Sequence, residues 1–278
     1  MAEEFRVTDS VVSGRDGDIR TRDYLPQKPT TQAPLLWVHG GGFVLGGLDQ
    51  VESDAPARYL AARGRWVRTI DYRLAPNIGL FKNPRLGEAP GRFPEAHHDV
   101  IDVAQSLRDS AGRIHIGGAS AGANLVAGAL ASMKNDRVRM PVSAVLVYGT
   151  FHNLLPENTA VEAGLTGPIA RWFFNPAMTR RINLNYVGTE SGLAEPYAFP
   201  GGTDLAGFPP SLTLDASNDR LRRSGHQFHL ELLAAGIMAE ELVVQARHGF
   251  LGSPRGAAFA TGMAAIDSWL TRRDSAAQ

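Results

Sequence analysis

From residue 34 onward, short apolar runs and stretches of helical periodicity take turns along this chain, an order that few architectures accommodate. Pro34–His39 is nearly all apolar, as in a strand covered on both faces. A helical pattern over Ser53–Arg63 leads to a strand at Trp66–Asp71, and one from after Pro94 to Ser110 leads to a strand at Arg113–Gly117. A helix over Ala121–Lys134 precedes the strand Val142–Tyr148. The strand Ser211–Ala216 precedes a helix over Leu221–Ala235, and the strand Glu240–Gln245 precedes a last helix over Arg255–Leu270. Such alternation predicts an α/β fold with a mostly parallel central sheet flanked by helices.

Two apolar stretches before it, Phe5–Val12 and Asp18–Leu25, flank Ser13-Gly14-Arg15-Asp16-Gly17 and read as an edge hairpin, which brings the expected sheet to about eight strands. Two segments break the rhythm. Residues 77–92, rich in glycine and proline, read as a long loop. Residues 149–209, with helical pieces at Ile169–Phe174 and Ala177–Tyr186, lie between two strands and read as an insertion covering one end of the sheet. One domain over residues 1–278 is therefore expected, with 149–209 as a cap within it.

Composition removes several kinds of chemistry. With no cysteine there is no disulfide, thiolate nucleophile or cysteine metal site, so covalent chemistry falls to another side chain. Twenty-eight basic residues balance twenty-eight acidic ones without a like-charged run, which argues against nucleic acid or an anionic membrane as partner. No apolar stretch reaches the ~18 residues of a membrane span, and the acidic start Met1-Ala2-Glu3-Glu4-Phe5 lacks the form of a secretory signal. A soluble cytoplasmic protein is expected, with neither metal nor cofactor.

Gly118-Ala119-Ser120-Ala121-Gly122 has the spacing of a nucleophile elbow and falls between an apolar strand and a helix, as that elbow requires. The plainer reading is a glycine-rich turn with an N-capping serine. The small residues Ala123, Ala127, Gly128, Ala129 and Ala131 allow the helix to approach the sheet and point its N-terminus at Ser120. His39-Gly40-Gly41-Gly42-Phe43 follows the third strand. Consecutive glycines let backbone N–H groups converge, as an oxyanion hole demands, although a flexible turn or a phosphate loop shares that composition. The sequence lacks a P-loop ending, so Gly41 and Gly42 are assigned as donors with the N–H of Ala121. His39 is read as holding the loop.

A serine hydroxyl needs a base and a group that orients the base. His248 lies just past the last strand, where site loops gather. His97, His98, His226 and His229 fall in helical patterns as surface or capping groups, His115 falls in a strand, and His152, opening the inserted block, is the rival. Asp219 stands between a strand and a helix, a common N-cap position. Asp215 would sit within the strand and point to one face. The order Ser120, Asp219, His248 is that of an α/β-hydrolase.

These residues together resemble the hormone-sensitive-lipase-like group of α/β-hydrolases, especially its bacterial esterases. The likeness runs through His39-Gly40-Gly41-Gly42-Phe43, Asp71-Tyr72-Arg73-Leu74-Ala75-Pro76, Phe93-Pro94-Glu95-Ala96 with Asp99, and Ser120-Ala121-Gly122 with Asn124. It continues through Asp204 to Pro210, Asp219 with Leu221, and His248-Gly249-Phe250. The chain departs from that group at Ala119, at Ala123, at Arg222-Arg223 where an acidic stretch is usual, over the long 77–92 segment, and in a shorter N-terminal portion.

The resemblance implies a serine carboxylesterase acting on short- to medium-chain esters, with Asp71–Pro76 supporting the oxyanion loop. Phe43, Trp172, Phe173 and Phe250 are candidates for the substrate pocket. Trp172, Phe173, Phe174 and Met178 line it or anchor the cap. An amidase or formamidase would use the same triad, and a non-catalytic ligand-binding protein on the same fold is the third reading. The partner implied is a small-molecule ester, with a homodimer through the last sheet edge as a further expectation.

Overall fold

The computed structural model describes residues 5–28, 32–77 and 91–276, so most of the predicted 77–92 loop lies outside the described residues. Eight strands form one sheet: β1 (Phe5–Gly14), β2 (Gly17–Pro26), β3 (Leu35–Val38), β4 (Val67–Asp71), β5 (His115–Ala119), β6 (Ala144–Val147), β7 (Ser211–Asn218) and β8 (Ala239–Arg247). Their order is β1-β2-β4-β3-β5-β6-β7-β8. β1 and β2 make the expected hairpin, β2 runs antiparallel to β4, and all pairs from β4 to β8 are parallel. The described α-helices are α1 (Val51–Ala61), α2 (Glu95–Ala111), α3 (Ala121–Asn135), α4 (Thr159–Gly164), α5 (Gly167–Trp172), α6 (Pro176–Val187), α7 (Arg222–Ala234) and α8 (Ala257–Ala276).

Period-two alternation in the strands sorts the core into two layers. Leu36 and Val38 of β3 pack with Val100 and Leu107 of α2 and Leu130 of α3, while Leu35 and Trp37 pack with Leu60 of α1 and Ile266 and Trp269 of α8. β5 runs two residues further than the sequence suggested, because Gly117 and Gly118, which look like a strand end, belong to the sheet. A Cβ on Gly117 would press on Val145 and Trp37, so those large neighbours fill the space the glycine leaves. β8 also continues past Gln245, which delivers His248 directly off its end.

Pro56 lies inside α1 and has no N–H to give to the carbonyl of Glu52 four residues earlier. The indole of Trp37 donates to that carbonyl instead, at 2.9 Å, tying α1 to β3. No helix among the described residues is long and apolar enough to cross a membrane.

At the opposite end of the sheet from Ser120, Asp274 of α8 closes a buried polar cluster. Its carboxylate accepts from Ala33 N at 2.9 Å, Arg65 Nη1 at 2.9 Å and His115 Nε2 at 3.2 Å. Burial alone would raise its pKa, but the His115 hydrogen bond, the Ala33 amide and the Arg65 charge draw it down to about 2. Arg65 is itself fully buried. Asp274→Asn would leave this guanidinium without its counter-charge, and a loss of about 3–5 kcal/mol in chemical denaturation is expected.

Candidate active site

β5 hands the chain to α3 through Ser120, which sits at φ 54° and ψ −118°, a conformation unfavourable for any residue with a Cβ. Two features hold it there. The Ser120 amide donates to the carbonyl of Val147 at 2.8 Å, and Gly122 lets the first turn of α3 rest on β3. A Cβ on Gly122 would overlap the carbonyl oxygens of Val38 and His39, and one on Gly118 would overlap the backbone of Gly122. The turn therefore requires hydrogen at both flanking positions, as the sequence pattern implied.

His248 and Asp219 converge on this serine from the ends of β8 and β7. The Ser120 hydroxyl donates to His248 Nε2 at 3.0 Å, and Nδ1–H donates to Asp219 Oδ2 at 2.6 Å, a tautomer assigned from these contacts. The other Asp219 oxygen accepts the amide of Leu221 at 3.0 Å; since Leu221 is itself the residue before α7, the carboxylate closes the turn into that helix and is not its N-cap. The imidazole lies edge-on between Tyr148 and Phe174, with ring centroids 4.8 and 4.6 Å away. Burial alone would lower the pKa of His248, but the charge and hydrogen bond of Asp219, with Glu52 adding to them, raise it above the ordinary 6.5.

The glycine loop after β3 lies beside this line. Gly41 adopts φ +123°, where a Cβ would strike the carbonyl of Leu45, and Val44 and Leu45 both donate to the Gly41 carbonyl at 3.1 Å. Its scaffold comes from the segment after β4. Ala75 N donates to Phe43 O at 2.8 Å, Tyr72 OH donates to His39 O at 3.1 Å, and the Tyr72 ring stacks on His39 at 4.3 Å. Ala121 opens α3, so its N–H belongs to the first turn, where no intrahelical acceptor exists.

Two cavities meet at His248, Phe173 and Phe174. One, of about 190 Å³, is bordered by Gly41, Gly42, Glu52, Ser120 and Ile182. The other, of about 180 Å³, is bordered by Asp219, Arg220 and Arg247. The four aromatic candidates divide. Phe173 borders both cavities, but Phe43 is turned into the core, where it stacks on Tyr186 at 4.1 Å. Phe250 is buried beneath Tyr148 with centroids 5.1 Å apart, and Trp172, 64% exposed, faces outward from α5. Helical spacing explains the last correction, since α5 ends at Trp172 and the chain then turns Phe173 and Phe174 inward.

The rival histidine is tied up elsewhere, with His152 Nδ1 at 2.8 Å from Ser224 Oγ and Nε2 at 3.1 Å from Glu231. His97, expected at the surface, is buried against α3, and burial pushes its pKa down to about 3. Asp215 is buried in β7 against Gly225 of α7, away from the imidazole.

Glu52 and Tyr148 at the site went unnoticed in the sequence. Glu52 projects from α1 into the serine cavity, and Tyr148 follows β6. The signal for Glu52 was its place on a helix face otherwise made of Ser53, Pro56, Ala57, Leu60 and Ala61, all buried.

The elbow geometry generates a test. Gly122→Ala forces α3 off β3, so a stability loss of about 1–3 kcal/mol is expected. Displacement of the serine by ~1 Å is expected to slow its reaction with an organophosphonate about 100-fold. Denaturation curves and intact-mass labelling rates measure the two effects.

A family model described as alpha/beta hydrolase fold matches residues 35–252. An arylesterase of Saccharolobus solfataricus is 26% identical over 258 residues, covering 89% of this chain and 78% of that protein. The esterase LipI of Mycobacterium tuberculosis is 30% identical over 269 residues, covering 90% and 76%. The structure of a hyperthermophilic esterase from Pyrobaculum calidifontis superposes with a TM-score of 0.81 at 28% identity, covering 98% of this chain and 86% of that one. On fold, site geometry and sequence together, the chain belongs to the α/β-hydrolase-fold family, in its hormone-sensitive-lipase-like esterase group.

Proposed function

We propose that this protein hydrolyses short- to medium-chain carboxylic esters through an acyl-enzyme on Ser120, with His248 as base and Asp219 as the orienting acid. The chain is a carboxylic ester hydrolase. The observation that carries the residue roles is the unbroken line from Ser120 Oγ to His248 at 3.0 Å and on to Asp219 at 2.6 Å, opening into a cavity shared with Gly41 and Gly42.

As Oγ attacks the ester carbonyl, its proton passes to Nε2, and Asp219 stabilises the imidazolium that forms. The carbonyl oxygen gains negative charge and is held by the amides of Gly41, Gly42 and Ala121. Nε2 then protonates the departing alcohol oxygen as the C–O bond breaks, and water repeats the sequence to release the acid. Residues 149–209 act as the cap over this site. Glu162 of α4 fastens it by pairing with Arg220 at 2.8 and 3.1 Å and Arg223 at 3.0 Å. Small cavity volumes and the apolar walls given by Phe173 and Phe174 favour modest acyl groups over long-chain fats.

Ser120→Ala is expected to lower turnover on the order of a million-fold, and Asp219→Asn roughly ten-thousand-fold. Steady-state kinetics on an activated ester measure both, and more than a few per cent residual activity in Ser120→Ala would reject the assignment. Because only neutral His248 accepts the proton, and its pKa is raised, kcat/KM is expected to fall on the acid side with a midpoint above 6.5. A series of activated esters is expected to peak at short or medium acyl length, with matched amides slower. A long-chain optimum or faster amide turnover would overturn the substrate class.

A further inference from the structure

Glu52 is 7% exposed, and no Lys or Arg among the described residues pairs with it. A buried carboxylate without a cation is costly, so its surroundings need explaining. Its Oε1 accepts the hydroxyl hydrogen of Tyr148 at 2.5 Å. Its Oε2 lies against Gly40, at a point where an added Cβ would also come within 3.1 Å of Ser120 Cβ. A Cβ on Gly249 would stand 3.9 Å from Oε1. Glu52 is thus wedged between the glycine loop and the loop bearing His248, on the wall of the cavity that Ser120 and His248 also border. Tyr148, which holds one of its oxygens, packs edge-on against the imidazole.

We propose that Glu52 is a positioning residue whose anionic carboxylate, anchored by Tyr148, stabilises the His248 imidazolium formed during acyl transfer. The inference rests on His248 being the base. Glu52 takes no part in the proton transfer: the Ser120 proton moves to Nε2 and then to the leaving oxygen, while the carboxylate supplies a second fixed negative charge beside that of Asp219. The cation this carboxylate lacks in the resting site is the one each catalytic cycle creates. The same charge opposes the oxyanion in the neighbouring cradle, so plateau activity mixes two opposed effects. The acid limb of the pH profile reads the imidazole alone.

Among the described residues, the charged and titratable groups around the imidazole are few. They are Asp219 after β7, Glu52 on α1, Tyr148 after β6, Arg247 beside His248, and Arg220, which is paired with Glu162. Burial and the neighbouring Glu52 charge raise the Tyr148 phenol well above its usual value, so it stays neutral across the working range.

Glu52→Gln preserves shape and the acceptor for Tyr148 while removing the charge. The acid limb of kcat/KM is expected to move to lower pH by roughly half a pH unit or more, and the pH dependence of organophosphonate labelling of the full-length protein to move with it. Glu52→Asp withdraws the charge by one methylene, and a smaller displacement in the same direction is expected. A Gln variant that folds, takes the label and keeps the wild-type limb would overturn the proposal, because a purely structural role predicts no displacement. If only the Asp variant folds, a limb superimposed on wild type overturns it equally. Failure of the unaltered protein to label at Ser120 would instead sink the reading of the site on which this inference rests.

Discussion

The site depends on a close backbone contact. Because Gly122 has no side chain, the first turn of α3 rests against the carbonyls of Val38 and His39, at the point where β3 gives way to the glycine loop. That contact fixes the strained serine, the positive end of the helix and the glycine loop relative to one another. His248 and Asp219 need then only be brought to the same edge, and β7 and β8, parallel neighbours in the sheet, deliver them from adjacent strand ends.

Electrostatics at this edge favour a positively charged imidazole. Asp219 holds His248 through a direct hydrogen bond, and Glu52, held by Tyr148, borders the same cavity as the imidazole. Both favour the protonated ring, and the buried surroundings that oppose it also keep water from screening them. Arg220 and Arg223 bind Glu162, so part of the basic stretch that departs from the family pattern latches the inserted segment to the rim of the sheet.

Much of this was legible in local patterns. Apolar runs marked the strands because both faces of the sheet are covered, and the Gly-x-Ser-x-Gly spacing marked the elbow because no other residue fits its backbone. Strand ends were misplaced at β5, where Gly117 and Gly118 resemble a terminus yet lie within the sheet, Gly117 against Trp37 and Val145 and Gly118 against the backbone of Gly122 and Val38. The pocket aromatics were legible as a cluster and not as individuals. Which of Trp172, Phe173 and Phe174 face the cavity is decided by where α5 stops, and a helix boundary is weakly encoded in local sequence.

By itself the sequence determined the sheet, its helical cover and the Gly-x-Ser-x-Gly elbow, because each is written in spacing along a single segment. Only the tertiary structure decided which histidine is within reach, that Phe43 and Phe250 are core residues, and that Glu52 borders the same cavity as the imidazole. Those facts depend on distances between segments up to 196 positions apart in the numbering, from residue 52 to residue 248, which no local pattern records. Covalent order sets what each segment can be, and packing alone sets what it meets.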